Sequence, residues 1–204
     1  MRIVRSMLVY LLRHGNNDLV GKKLAGRIPG VFLNEEGRAQ ARSLAEELGN
    51  IPFAAVISSP LERTLETAAP LAEKRALRIE IADAILEYDF GTWNGKSLEE
   101  LRSDPNWANF NTHRTSARPV GGEHMLEVQT RAVTFLEHRK QKHRDSSIAL
   151  VTHADVIRAV LCFYLGMPLD LFNRIEISPG SYTMLELSEW SPRVLGMNCI
   201  PKPL

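Results

Sequence analysis

Four cationic or imidazole side chains stand where this chain leaves an apolar run, and they limit the chemistry open to it. Leu8-Val9-Tyr10-Leu11-Leu12 runs straight into Arg13-His14-Gly15. Phe53 to Ile57 leads into Ser58-Ser59-Pro60 and then Arg63, and Ile148 to Val151 leads into Thr152-His153. Short continuous apolar runs of this kind read as strands buried on both faces. Strands of a parallel sheet end along one edge, where open α/β proteins bind ligands. Two guanidiniums and two imidazoles gathered there without a counter-charge are unfavourable, since each desolvated ion costs roughly several kcal/mol. An anion relieves the conflict. Arginine forks match carboxylate or phosphate, each charge-assisted bond is worth roughly 1.5–3 kcal/mol, and a tetrahedral phosphoryl group suits a cage approached from several sides.

A neutral His14 imidazole is a competent nucleophile towards phosphorus, with the surrounding cations stabilising the transition state. The departing alkoxide then needs a proton. Glu87 is the leading donor, because it follows the third strand among apolar and aromatic neighbours that raise a carboxyl's proton affinity; Asp83 and Asp89 compete for the role. Metal binding fits poorly, because Arg13 and Arg63 repel a divalent cation and no HExxH or comparable cluster occurs. A Ser-His-Asp hydrolase fits no better, for want of a GxSxG elbow.

The elements that must carry these groups alternate. A loop from Asp18 to Asn34 carries Lys22, Lys23 and Arg27, and Asn34 caps a helix that Gly49-Asn50 ends. Ser59 as N-cap with Pro60 at the first helical position predicts a helix directly after the second strand. A third strand is expected over Leu77 to Ile81, short helices between Ser97 and Asn111, and a long amphipathic helix from Glu123 to about Gln141. After His153 a further helix runs to Gly166, followed by strands near Arg174 to Ile177, Tyr182 to Leu187 and Val194 to Cys199. The pattern predicts an α/β fold, a three-layer α/β/α sandwich on a mostly parallel central sheet. All 204 residues form one expected domain, with a lid-like segment around 88–120.

With 204 residues, 44% of them hydrophobic, the chain is long enough for a proper core, and its net charge of +1 gives no field pointing to nucleic acid or to a membrane surface. The first apolar run is too short for a membrane span or an export signal, and Cys162 and Cys199 lack CxxC spacing, so a cytoplasmic location is expected.

The motifs in order, Leu12-Arg13-His14-Gly15, Ser58 to Thr64, Leu86-Glu87 with Phe90 to Gly95, Gly121-Gly122-Glu123 and Val151-Thr152-His153, resemble those of the histidine phosphatase superfamily, the phosphoglycerate-mutase-like group. The likeness spans nearly the whole chain. It implies that His14 takes up the phosphoryl group, that Arg13, Arg63 and His153 hold it, that Glu87 donates the proton and later activates water, and that no metal or organic cofactor takes part. The chain departs from the family pattern at three places. Asn16 and Asn17 follow Arg-His-Gly where Glu or Gln and then Thr or Ser are usual, so a phosphate contact from Asn17 would come from an amide. Val20 stands where the mutase branch often has asparagine, and His124 stands where Ser commonly follows Gly-Gly-Glu.

Mutases of the group this chain resembles tend to carry a long insert after the acid motif and a C-terminal tail that shield the phosphoenzyme from water. Here the stretch between Glu87 and Gly121 is short and little follows the last strand, so the resemblance implies a phosphatase rather than a phosphomutase. A non-catalytic phospho-ligand-binding adaptor is the alternative of another class. The expected partner is a small phosphorylated metabolite. Gly26 and Arg27 are candidate substrate contacts, with Lys22 and Lys23 either meeting a second anionic group or forming a solvated basic loop. His113, Arg114, Arg118, Trp93 and Trp107 lie in or near the segment expected over the pocket, and a homodimer is compatible with the sequence.

Overall fold

The first strand sends alternate side chains into opposite cores and so sets the layering of the computed structural model, which describes residues 5–203. In β1 (Ser6–Arg13), Met7, Val9 and Leu11 enter one core, while Tyr10 and Leu12 enter another on the opposite face. The second core is closed by Leu44 and Leu48 of α1 (Glu35–Leu48) and by Leu71 and Ala72 of α2 (Glu62–Lys74). The first is closed by Val128 and Leu136 of α5 (Met125–Lys142) and by Ile157 and Leu161 of α6 (Ala154–Leu165). Between the two helical layers lies the sheet. Its remaining strands are β2 (Phe53–Ser58), β3 (Ile79–Ile81), β4 (Ser147–Thr152), β5 (Tyr182–Ser188) and β6 (Pro192–Cys199), in the order β3-β2-β4-β1-β5-β6.

The first four strands in that order run parallel. The β5–β6 hairpin adds antiparallel to β1. Two short helices, α3 (Leu98–Arg102) and α4 (Pro105–Thr112), sit in the segment after the third strand. This is the expected three-layer α/β arrangement with a mostly parallel sheet. Among the described residues no helix is long and apolar enough to cross a membrane.

Local chemistry explains most boundaries. Asn34 caps α1 by accepting the Gly37 N–H at 2.9 Å, and Gly166 ends α6 at φ 63°, a left-handed turn that glycine takes without strain. Three expectations need correction. Ser59 and Pro60 do not start α2; the helix begins at Glu62 with Leu61 in the cap position and no side-chain cap. The Ser59 hydroxyl is bonded to His153 instead, at 2.8 Å. The third strand is shorter than expected, because the Leu77 N–H returns to the Ala72 carbonyl at the end of α2. No strand forms over Arg174 to Ile177. Residues Leu169–Arg174 make a tight 3-10 turn, and the Ile175 and Ile177 carbonyls accept from Arg158 Nε (2.8 Å) and an Arg13 terminal nitrogen (2.6 Å). Those carbonyls serve arginines rather than a ladder.

The first loop is laid against the segment after the third strand. Leu24 N–H donates to Lys96 O, Gly95 N–H to Leu24 O and Leu98 N–H to Lys22 O, all at 2.8–2.9 Å. Trp93 and Trp107 pack with Phe110 into an aromatic cluster, with centroids 5.1–5.8 Å apart, and the Trp93 indole donates to Asp104 at 2.8 Å. Their rings belong to the core of this segment.

Candidate active site

Strand register brings the separated motifs to one level. Arg13 on β1 pairs with Thr152 on β4, and Ser58 on β2 pairs with Val151 on β4. The next residues continue the pattern: His14 N–H donates to Thr152 O and Ser59 N–H to Val151 O, both at 3.0 Å. His14 and His153 therefore emerge side by side, with ring centroids 5.3 Å apart. The turn after His14 lies directly under the start of α1. A Cβ on Gly15 would stand 2.5 Å from the Gly37 carbonyl oxygen, so glycine at 15 is what lets the two backbones touch.

At this edge a cavity of about 240 Å³ is lined by Arg13, His14, Asn17, Arg63, Glu87 and the backbone of Gly26, together with Lys23, Asp155 and Arg158. Apolar side chains, Val20, Leu24, Phe90 and Leu98, complete the wall. His153 is fully buried behind these groups; it does not line the cavity but touches Arg63 (3.3 Å) and Glu87 (3.6 Å).

The hydrogen bonds assign the histidine tautomers. His14 Nδ1 lies 2.8 Å from the Gly15 carbonyl, an obligate acceptor, so Nδ1 carries the hydrogen and Nε2 keeps its lone pair. Burial, then the charges of Arg63 and Arg13, hold the His14 pKa well below its ordinary value, so the ring is neutral near pH 7. His153 is depressed for the same reasons, burial first and Arg63 next. Its Nδ1 faces an Arg63 nitrogen, an obligate donor, which leaves Nε2–H to donate to Ser59 Oγ.

Arg63 is 1% exposed, yet among the described residues only one of its nitrogens finds a partner, the Gly26 carbonyl (2.8 Å) and His153. Its Nε and other terminal nitrogen, and Nε of Arg13, are buried without a partner among the described residues. A buried donor left unpaired costs about 1–3 kcal/mol, more when charged, so this cluster is built for an acceptor from outside. Gly26 sits at φ 48°, with no room for a Cβ beside Asn94, and turns its carbonyl onto Arg63.

Among the described residues two carboxylates reach the cavity, Asp155, which is paired with Arg158 at 3.1 Å, and Glu87. The Glu87 pKa is raised to about 7, by withdrawal from water first and by the Asp155 charge next, with Arg63 and Arg13 opposing. The two competing acids are placed elsewhere. Asp83 is exposed, and Asp89 accepts from Gly91 N–H and Asn94 and pairs with Arg27 at 3.7 Å. Asn17 is buried at the cavity wall; its Oδ1 accepts the Leu19 N–H at 3.0 Å, so its amide NH₂ is the end available to an anion.

Arg27 is not among the lining residues. Its guanidinium bonds the Glu87 carbonyl at 2.8 Å and Glu123 at 2.7 Å, which takes it out of the place expected for a substrate contact. Of the two loop lysines, Lys23 lines the cavity and Lys22 does not. Arg114 is buried, stacked on Phe110 (3.8 Å) and Phe172 (4.5 Å) and 3.8 Å from Asp155, while Arg118 donates to the Gly122 carbonyl.

Sequence reasoning missed Asp155, Arg158 and the role of Ser59. The first two had a signal: they stand two and five residues after His153, and the first turn of α6 faces the same sheet edge. Among the described residues no group of three or more His, Cys, Asp or Glu side chains is arranged to hold a metal.

An α/β sheet presenting arginines and a neutral histidine at its carboxyl edge defines a site for a phosphorylated or similarly anionic ligand. The chain matches the histidine phosphatase superfamily (branch 1) over residues 9–200 and belongs to that family. It is 31% identical over 193 residues to phosphoserine phosphatase 1 of Hydrogenobacter thermophilus, covering 92% of this chain and 90% of that protein. Among solved structures, YhfR of Bacillus stearothermophilus superposes with a TM-score of 0.89 at 27% identity, over 95% of this chain and 98% of that one. Mycobacterial glucosyl-3-phosphoglycerate phosphatase gives 0.87 at 25% identity, over 96% and 100%.

Proposed function

We propose that the protein hydrolyses a small phosphomonoester through a phosphohistidine on His14. The observation that carries this reading is the set of unpaired buried guanidinium nitrogens of Arg63 and Arg13 beside an imidazole whose Nε2 lone pair is free. The Nε2 lone pair forms the N–P bond as the ester P–O bond breaks, and the guanidiniums stabilise charge on the equatorial oxygens. Glu87, protonated below about pH 7, gives its proton to the leaving alkoxide. The resulting carboxylate then takes a proton from water, the water oxygen attacks phosphorus, and the N–P electron pair returns to His14. His153 orients Arg63 and Glu87 from behind, and the Asn17 amide adds a donor.

Charge stabilisation is supplied by the two arginines, so turnover is expected to be indifferent to chelators. The relatives named as phosphatases support hydrolysis over phosphoryl transfer to a second site. A cavity of about 240 Å³ lies just below the usual range for small-molecule sites and favours a compact metabolite. The test is brief exposure to 4-nitrophenyl phosphate followed by denaturation. The wild type is expected to carry an acid-labile phosphoryl group and to release phosphate, and His14→Ala to do neither. Undiminished turnover by His14→Ala would sink the mechanism, and binding without covalent transfer in the wild type would make the protein an adaptor.

A further inference from the structure

Glu87 is held by no regular structure. It lies between a 3-10 turn at Asp83–Ile85 and another at Gly91–Trp93, in backbone that belongs to neither strand nor helix. A proton donor must nevertheless keep its place within about half an ångström to work. Three side chains from distant parts of the chain converge on this stretch. Arg27 Nε, from the first loop, and an Arg131 terminal nitrogen, from α5, both donate to the Glu87 carbonyl, at 2.8 and 3.2 Å. The other Arg131 terminal nitrogen holds the Ala84 carbonyl at 2.9 Å.

Between the two guanidiniums sits Glu123. Its Oε2 accepts from Arg27 (2.7 Å), from Arg131 (3.2 Å) and from the Asp89 N–H (3.2 Å), and its Oε1 accepts from Arg131 Nε (3.2 Å). The Glu123 backbone joins in, since its N–H donates to Asp89 O at 3.0 Å and its carbonyl accepts the Tyr88 hydroxyl. Positions 84, 87, 88 and 89 are thus all gripped by one network. The carboxyl it supports is then aimed by the Tyr88 N–H on Oε1 (2.9 Å), with His153 Nδ1 packed 3.6 Å from Oε2.

We propose that Arg27, Glu123 and Arg131 form a clamp that fixes the Glu87 backbone so that its carboxyl meets the leaving-group oxygen, making them positioning residues for proton transfer. The proposal rests on the phosphatase reading above. It also gives a purpose to the Gly-Gly-Glu motif and to a loop arginine that does not reach the cavity. None of the three touches the site of phosphoryl transfer, so loosening the clamp is expected to spare attack by His14 and to harm protonation.

The test compares phenyl phosphate with 4-nitrophenyl phosphate, two esters of nearly equal size whose leaving groups differ in their need for a proton. In Glu123→Gln, Arg131→Met and Arg27→Met, kcat/KM for phenyl phosphate is expected to fall at least about tenfold more than for 4-nitrophenyl phosphate. The pre-steady-state burst of nitrophenolate counts folded, phosphorylatable sites, so a variant that folds poorly is corrected for its active fraction. The loop variant Arg27→Met keeps α5 intact if the other two fail to fold. Equal losses in kcat/KM for both esters would overturn the clamp while leaving the phosphatase reading in place. A wild type that turns over neither ester would overturn the phosphatase reading, and the clamp's role with it.

Discussion

Glu87→Gln is the perturbation that tests proton donation most directly. The free enzyme holds this carboxyl at about 7, so it is about nine-tenths protonated at pH 6 and about one-tenth at pH 8. Because kcat/KM reports free-enzyme and free-substrate pKa values, it should fall about fivefold between pH 6 and pH 8 for an ester with a basic leaving group, the roughly tenfold loss of protonated Glu87 being offset about twofold by ionisation of the ester. Phosphomonoesters themselves take their second charge near about pH 6, so the acid limb belongs to substrate and only the alkaline limb to Glu87. In the Michaelis complex a phosphate dianion beside the carboxyl raises its proton affinity further, so the alkaline limb of kcat should lie above that of kcat/KM. Glu87→Gln keeps the shape, cannot donate, and should lose about 10²–10⁴-fold on phenyl phosphate together with the alkaline limb. The assay is phosphate release from pH 5 to 9 at constant ionic strength. An alkaline limb that survives in Glu87→Gln would show that another group titrates there, and the assignment of the donor would fall.

The same carboxyl makes a stability prediction. Glutamate ordinarily titrates at 4.5 and the folded protein holds this one at about 7, so the native state keeps a proton that the unfolded chain has lost. Stability therefore falls as pH rises from about 4.5 to about 7, by up to ~3 kcal/mol, and Glu87→Gln should exceed the wild type by up to that amount at pH 8 and not at pH 4. Urea denaturation at the two pH values measures it, and a variant no more stable at pH 8 would contradict the burial of a charged carboxylate. Ser59→Ala separates two roles for one hydroxyl. If it orients His153, kcat/KM should drop with helix content and α2 unchanged by hydrogen exchange; fraying of α2 with unchanged activity would restore the capping role.

Much of the site was legible because strand ends are legible. An apolar run that stops at a charged residue marks both a buried strand and the edge where it leaves the core, so Arg13, His14 and His153 declared themselves, and Glu87 stood out by its apolar company. Ser59 misled because the sequence signal for a cap is local, and the same hydroxyl serves equally well as a partner for a residue 94 positions away. Arg174 to Ile177 misled for a related reason: apolar alternation there serves the core, while its carbonyls are taken by arginines.

By itself, then, the sequence determined the α/β alternation, the layers and the kinds of group that meet at the sheet edge, because burial period and strand ends are properties of neighbouring residues. Only the tertiary structure decided which nitrogen of each histidine carries the proton, that Arg63 keeps two donors unpaired among the described residues, and that Arg27 grips the backbone of Glu87 instead of reaching the cavity. Apart from the His14–Gly15 contact, which depends on the local turn, those are matters of distance and hydrogen-bond partner between residues tens of positions apart. No local pattern encodes them, because a guanidinium bonds whichever acceptor the fold brings within reach.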